Sequence, residues 1–357
     1  MLCRHVSRFP SPPIRTSRPS VTWPRRALYS SSSVTLKRYT KMEIKPPVFE
    51  PLQDAHAPNT CQSTVRTHRG DFLVQVAWPL KWNEDRTPPE DEKITAKDIP
   101  SIYLTDGNAY FSTTVDVVRR LEYTHNARCI VVGIGYPMPP ARAVYDFRRG
   151  PDLTPPSRDG TYDAPLDRNG KPRTDIKFGE ADDFLDFIRE DVMKHYVQGV
   201  LFPHLEGRWG RKALLGHSYG GIFTLNALYT HPETWDTYLA ASADVEFNKC
   251  KFVSEQEASF RARKLDFSPP PALLVTYGEE AQDMVRRPGE TDARFDKRQR
   301  CAELPGIRKA VEGLVQRFEG HPNLRALEVR SFLGEDHGSA ALPGFQHGVM
   351  EFLTGDL

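Results

Sequence analysis

RKALLGHSYGGIFTL, residues 211–225, poses the question on which the whole reading turns: is Ser218 a nucleophile held on a strained turn, or one serine in a glycine-rich loop? The pentapeptide Gly216-His217-Ser218-Tyr219-Gly220 fits G-x-S-x-G, a pattern short enough to arise by chance, so the flanks must decide. Before it, Lys212-Ala213-Leu214-Leu215 is a short apolar run of buried-strand type. After it, Ile222 to Tyr229 continues with helical spacing until His231-Pro232 stops it. Strand, sharp turn and helix is the setting in which such a serine becomes a nucleophile. There its backbone takes unfavourable angles and the residues two positions either side crowd the turn. Gly216 and Gly220, with Gly221 next, meet that demand. The hydroxyl then stands above the carboxyl edge of a sheet, at a helix N-terminus whose dipole and unsatisfied N–H groups favour negative charge.

The rest of the chain has the size and composition an enzyme needs. Its 357 residues, 39% of them hydrophobic, suffice for one large α/β domain. A net charge of +1 gives no reason to expect nucleic acid as a partner, and no apolar stretch is long enough to span a membrane. Cys3, Cys61, Cys129, Cys250 and Cys301 are odd in number and lack CxxC spacing, which points away from a zinc site or a disulfide scaffold and towards a reducing compartment. Residues 1–41 stand apart: they carry nine Arg or Lys, a serine tract at Ser30–Ser33 and no acid. That is transit-peptide chemistry, and it predicts a mitochondrial location. A start at Met42 would instead leave a cytoplasmic protein. In either case residues 42–357 are expected to form a single domain.

From about Val65 the chain alternates strand and helix. FLVQVAW (72–78) has strand period; IPSIYLTDGN (99–108) and RCIVVGIGYP (128–137) are apolar runs ending in turn residues, with a helical stretch at Thr113–Tyr123 between them. GEADDFLDFIREDVMKHYV (179–197) reads as the helix before the Ser218 strand. TYLAASAD, PALLVTYGEE and LRALEVRSFLGEDHGS follow as further strand-to-loop units, and Gly344–Thr354 as the last helix. Two stretches interrupt the pattern, Lys81–Lys97 and Tyr145–Ile176. The second is long for a plain connection and is a candidate functional loop. GIGYP (133–137) lacks a third glycine and puts proline in the would-be helix, so it is no dinucleotide fingerprint.

A serine hydroxyl needs a base to take its proton during attack and return it to the leaving group. Of eleven histidines, His337 lies where that base belongs, in the loop GEDHGS after the last strand; His217 sits inside the turn itself. Nucleophile, acid, histidine is the chain order of α/β-hydrolases, unlike that of chymotrypsin-type or subtilisin-type enzymes. The acid is less defined. VTYGEEAQD offers Glu280, Glu279 and Asp283, and Asp244 follows the preceding strand. Oxyanion stabilisation requires two backbone N–H groups. Tyr219, after the serine, supplies one, and Asn108 in LTDGN is the choice for the other, with Gly107 behind it.

With these pieces in place the chain resembles the esterase branch of the α/β-hydrolases that acts on enterobactin, bacillibactin and fungal triacetylfusarinine C. YLTDGNAYF, VVGIGYP, RRGPDLTPP, GEADDFLDFI, GHSYGGIF and GEDHGS carry the resemblance, which runs from about Val65 to the C-terminus. It implies an α/β-hydrolase fold with a mostly parallel sheet and an esterase that opens a ferric siderophore through an acyl-enzyme. No metal or organic cofactor is implied, and iron would arrive only as part of the substrate. Arg148 and Arg149 of RRGPDLTPP are candidates to meet an oxygen-rich substrate face, against a plain ion pair with Asp146 or Asp152. Two departures bear on the site. ADVEFN stands where an aromatic pair usually walls the pocket, and Ala281 stands where the branch commonly has its acid, leaving Glu279, Glu280 or a Ser-His dyad. A general carboxylesterase is the alternative reading, and a non-catalytic ligand-binding hydrolase fold the third.

Overall fold

The computed structural model describes residues 57–355 except 91, 94–97, 139–143, 165–170, 282–285, 287 and 302–305. Residues 1–41, on which the expected mitochondrial location rests, and Asp283 lie outside the described residues.

Eight strands form one sheet: β1 (Thr60–Thr67), β2 (Gly70–Ala77), β3 (Ile99–Leu104), β4 (Ile130–Gly135), β5 (Trp209–His217), β6 (Thr237–Ala241), β7 (Ala272–Gly278) and β8 (Ala326–Phe332). Their spatial order is β1-β2-β4-β3-β5-β6-β7-β8. β2 runs antiparallel to both β1 and β4, and the remaining pairs are parallel. The apolar runs of β3 to β7 are what a parallel sheet covered on both faces requires.

Period two sorts each strand between two cores. Tyr103, Leu214, Leu273 and Val275 pack on one face beneath α3 (Ala181–Asp186), its π-helical continuation Phe187–Leu201, α4 (Tyr219–Thr230) and α7 (Ile307–Phe318). Ile102, Leu104, Ala213, Leu215 and Leu274 pack on the other beneath α1 (Gly107–His125) and α8 (Ala341–Thr354). Three short helices, α2 (Arg149–Leu153), α5 (Ala258–Ala262) and α6 (Asp292–Cys301), and single helical turns at Pro203–Leu205, Val253–Glu257 and Glu279–Ala281 complete the described elements. The stretch Tyr145–Ile176 is therefore no featureless loop.

Two boundaries differ from the sequence expectation. β1 begins before Val65, because TCQSTVRT is an edge strand whose half-exposed side chains give no apolar run. The helix expected from Thr113 begins at Gly107, since Asp106 caps it in the left-handed region at φ 53°. That places Asn108 in the first turn of α1, where backbone N–H groups lack a helical acceptor. Among the described residues no helix is long and apolar enough to cross a membrane.

Candidate active site

The turn between β5 and α4 has the geometry its sequence implies. Ser218 sits at φ 59°, ψ −118°, a strained conformation for a side-chain-bearing residue. A Cβ on Gly216 would lie 2.0 Å from the Gly220 carbonyl oxygen, so only glycine lets the turn close. Ser218 N–H donates to the Ala241 carbonyl of β6 at 2.9 Å, and its carbonyl accepts from Ile222 N–H at 3.0 Å. The hydroxyl is thus fixed at the carboxyl edge of the parallel strands.

His337 comes to it from the loop after β8, with Nε2 3.1 Å from Ser218 Oγ. For Nε2 to accept the serine proton, Nδ1 must carry the ring hydrogen. That Nδ1 is buried and has no hydrogen-bond partner. Burial is the main cause that lowers the His337 pKa below that of an ordinary histidine. Asp336 pulls the other way, and the Arg149 cation adds to the lowering. The imidazole is therefore neutral near neutral pH, with Nε2 able to accept a proton.

Among the described residues no acid candidate reaches it. Glu279 accepts from Ser331 Oγ at 2.8 Å and lies 3.7 Å from Arg308. Glu280 contributes its backbone, donating N–H to the Glu335 carbonyl at 2.9 Å, and its side chain makes no bond to the imidazole. Asp244 accepts from Glu246 N–H at 3.1 Å, and burial raises its pKa to about 6. Asp336 Oδ1 closes its own turn by accepting from the Gly338 and Ser339 N–H groups. The structure brings Ser218 and His337 together, and among the described residues no carboxylate bonds the ring.

Tyr219 opens α4 and Asn108 lies in the first turn of α1, so both oxyanion candidates stand at helix N-termini at the carboxyl edge. The Asn108 side chain is committed to structure. It donates to the Tyr136 carbonyl and accepts from Tyr136 N–H, both at 2.8 Å, which ties α1 to the end of β4.

The two arginines part company. Arg149 forms a two-pronged pair with Asp106, at 3.0 and 2.9 Å, and its guanidinium lies 5.0 and 5.1 Å from the Tyr145 and Tyr219 ring centroids. The Asp106 side chain is wholly buried. Arg148 faces away: it lies over Phe72 and Tyr136 and donates to the Asp71 carbonyl at 2.7 Å. Arg148 also approaches Asp146 at 3.6 Å, whereas Asp152 pairs with Arg69. Sequence reading weighed Asp106 only as a turn residue; its left-handed helix cap and its buried pairing needed the three-dimensional structure.

A cavity of about 690 Å³ lined by Trp82, Glu92, Glu122 and Arg128 opens at the opposite, amino edge of the sheet. It contains neither Ser218 nor His337. Among the described residues no cluster of His, Cys, Asp or Glu has metal-binding geometry.

Fold and site together define a serine hydrolase of the α/β-hydrolase class. The chain belongs to the siderophore esterases. It is 35% identical over 305 residues to the siderophore enterobactin esterase of Emericella nidulans, covering 85% of this chain and 96% of that protein. It is also 35% identical over 300 residues to the siderophore triacetylfusarinine C esterase of Aspergillus fumigatus, covering 83% and 93%. Among solved structures, the siderophore hydrolase EstA from Aspergillus nidulans superposes with a TM-score of 0.76 at 35% identity, over 86% of this chain and 98% of that one. The chain matches no protein-family model.

Proposed function

We propose that this protein hydrolyses the ester bonds of a ferric siderophore through a Ser218-His337 dyad. The observation that carries the reading is the 3.1 Å contact between a strained Ser218 and a neutral, half-buried His337, within a chain of siderophore-esterase sequence.

Ser218 Oγ attacks the ester carbonyl as His337 Nε2 takes its proton. The carbonyl oxygen becomes an oxyanion received by the Tyr219 and Asn108 N–H groups. Collapse breaks the acyl–oxygen bond. The leaving alkoxide takes the proton from the imidazolium, and the acyl group remains on Ser218. Water, deprotonated by His337, then attacks the acyl-enzyme, releases the carboxylate and restores the serine. Asp336, close enough to favour the charged imidazole, stabilises the imidazolium from its own loop. Arg149, whose charge acts on His337, is the candidate for the oxygen-rich face of the ferric ligand; Arg148 is committed to β2 and Tyr136. Opening a cyclic ester leaves the chelating arms intact and removes their preorganisation, so iron is held less tightly.

The test is a comparison of kcat/KM for a simple p-nitrophenyl ester and for a ferric trilactone siderophore. A siderophore esterase strongly prefers the trilactone. Equal or better turnover of the nitrophenyl ester would make this a general carboxylesterase, and absence of either activity would leave a ligand-binding fold.

A further inference from the structure

His217 closes β5 immediately before the nucleophile, and the dyad mechanism gives it no role. Its ring is buried and satisfied at both nitrogens. Nε2 lies 2.7 Å from the backbone carbonyl oxygen of His337, and Nδ1 lies 2.9 Å from the Tyr110 hydroxyl. A carbonyl only accepts, so Nε2 must be the donor and, in a neutral ring, Nδ1 the acceptor. Tyr110 therefore donates to His217 and accepts the hydrogen bond of the Tyr145 hydroxyl, 2.6 Å away. One carbonyl sets the direction of the whole chain, from the loop before α2 through α1 to β5 and onto the histidine loop. Burial lowers the His217 pKa to about 4, so the ring stays neutral at working pH and the order does not reverse.

Among the described residues the His337 side chain has one bond, to Ser218, and no partner on Nδ1. In a triad, a carboxylate at Nδ1 fixes both tautomer and orientation. Here the grip falls on the main chain instead, with the two imidazole rings 5.0 Å apart between centroids.

We infer that His217 is the positioning residue of this active site, holding His337 by its backbone carbonyl where a triad enzyme would hold the imidazole by a carboxylate. The inference rests on the reading of Ser218 and His337 as the dyad. A histidine that merely fills the core would show the same burial, so the test must separate position from packing.

His217→Gln extends an amide to the place of Nε2 and keeps the donor to the His337 carbonyl. His217→Asn reaches only the place of Nδ1 and keeps the Tyr110 bond alone. With p-nitrophenyl acetate as probe, His217→Asn is expected to lose about 10- to 100-fold in kcat with KM within about twofold, a share of what an orienting carboxylate contributes. His217→Gln is expected within about fivefold of wild type, one ordinary hydrogen bond or less. His217→Asn added to His337→Ala should cost nothing more, because groups acting as a unit do not add. Wild-type kcat in His217→Asn, equal losses in both folded variants, or an additive loss in the double variant would overturn the inference. If both variants fail to fold, Tyr110→Phe releases the far side of the ring and should lower kcat about threefold or more, the worth of one neutral hydrogen bond; wild-type kcat in that variant would overturn it. Ser218→Ala serves as the control. Turnover surviving there would remove the dyad reading itself rather than the role of His217.

Discussion

Ser218 and His337 share one hydrogen bond, yet the segments that carry them are held by opposite means. The serine turn is almost self-contained: Gly216 passes against Gly220, and the Ser218 carbonyl is bonded four residues ahead by Ile222 N–H. The histidine loop borrows its shape from elsewhere. The Glu335 and Asp336 carbonyls cross over Gly278, where a Cβ would lie 2.3 and 2.6 Å from their oxygens. Glu280 N–H holds the Glu335 carbonyl, and His217 holds that of His337 from 120 residues away in sequence. The geometry of the Ser218 turn is thus written in seven consecutive residues, Gly216 to Ile222, and that of the His337 loop in the packing of β5, β7 and α1 beneath it.

The largest effect should come from the pair itself. Ser218→Ala and His337→Ala are each expected to lower kcat by about 10⁴-fold or more, with the double variant no worse than either single one. A double variant far below both singles would show two independent contributions and dissolve the pairing.

The side of the site nearest α1 gives the next test, in stability. Arg149→Met strands the buried Asp106 carboxylate and should cost about 3–5 kcal/mol in urea denaturation. Arg148→Met removes a partly exposed cation over two rings and one carbonyl bond, and should cost about 1 kcal/mol. Equal losses would refute the division of labour between the two arginines.

Asp244, beyond the end of β6, tests whether a carboxylate near the serine turn is merely buried. Its folded pKa is raised above the ordinary aspartate value, so its stabilising contribution is complete below that value and is lost as pH rises through about 6. Asp244→Asn should therefore gain about 1–2 kcal/mol at pH 8 and almost nothing at pH 4. A gain independent of pH, or a loss of kcat beyond about tenfold, would give the residue another role.

The smallest effect is expected at Glu280. Its backbone supports the histidine loop, so Glu280→Gln should leave kcat within about twofold of wild type. A loss of about a hundredfold would restore a triad, since an orienting carboxylate is worth that and more.

The same contrast explains what could be read from the sequence. β3 to β7 were legible because a strand covered on both faces must be an apolar run, and the Ser218 turn was legible because its steric demands are local. β1 was not, because an edge strand keeps polar residues. Nor was the early start of α1, which depends on Asp106 adopting a left-handed angle paired to an arginine 43 residues away. The acid was beyond sequence for a different reason: Glu279 and Glu280 both follow β7, and only the packing shows that Glu280 donates its N–H to the Glu335 carbonyl. His217 was visible as a residue and opaque as a part, since its partners Tyr110 and His337 lie 107 and 120 positions away.

The most direct test of the account is hydrolysis of a ferric trilactone in H₂¹⁸O, followed by mass spectrometry of the products. Acyl transfer to Ser218 and resolution by water predict ring-opened siderophore carrying one ¹⁸O in each new carboxylate with the wild-type protein, and intact trilactone with Ser218→Ala. Trilactone left unopened by the wild type, or opened equally well by Ser218→Ala, would contradict it.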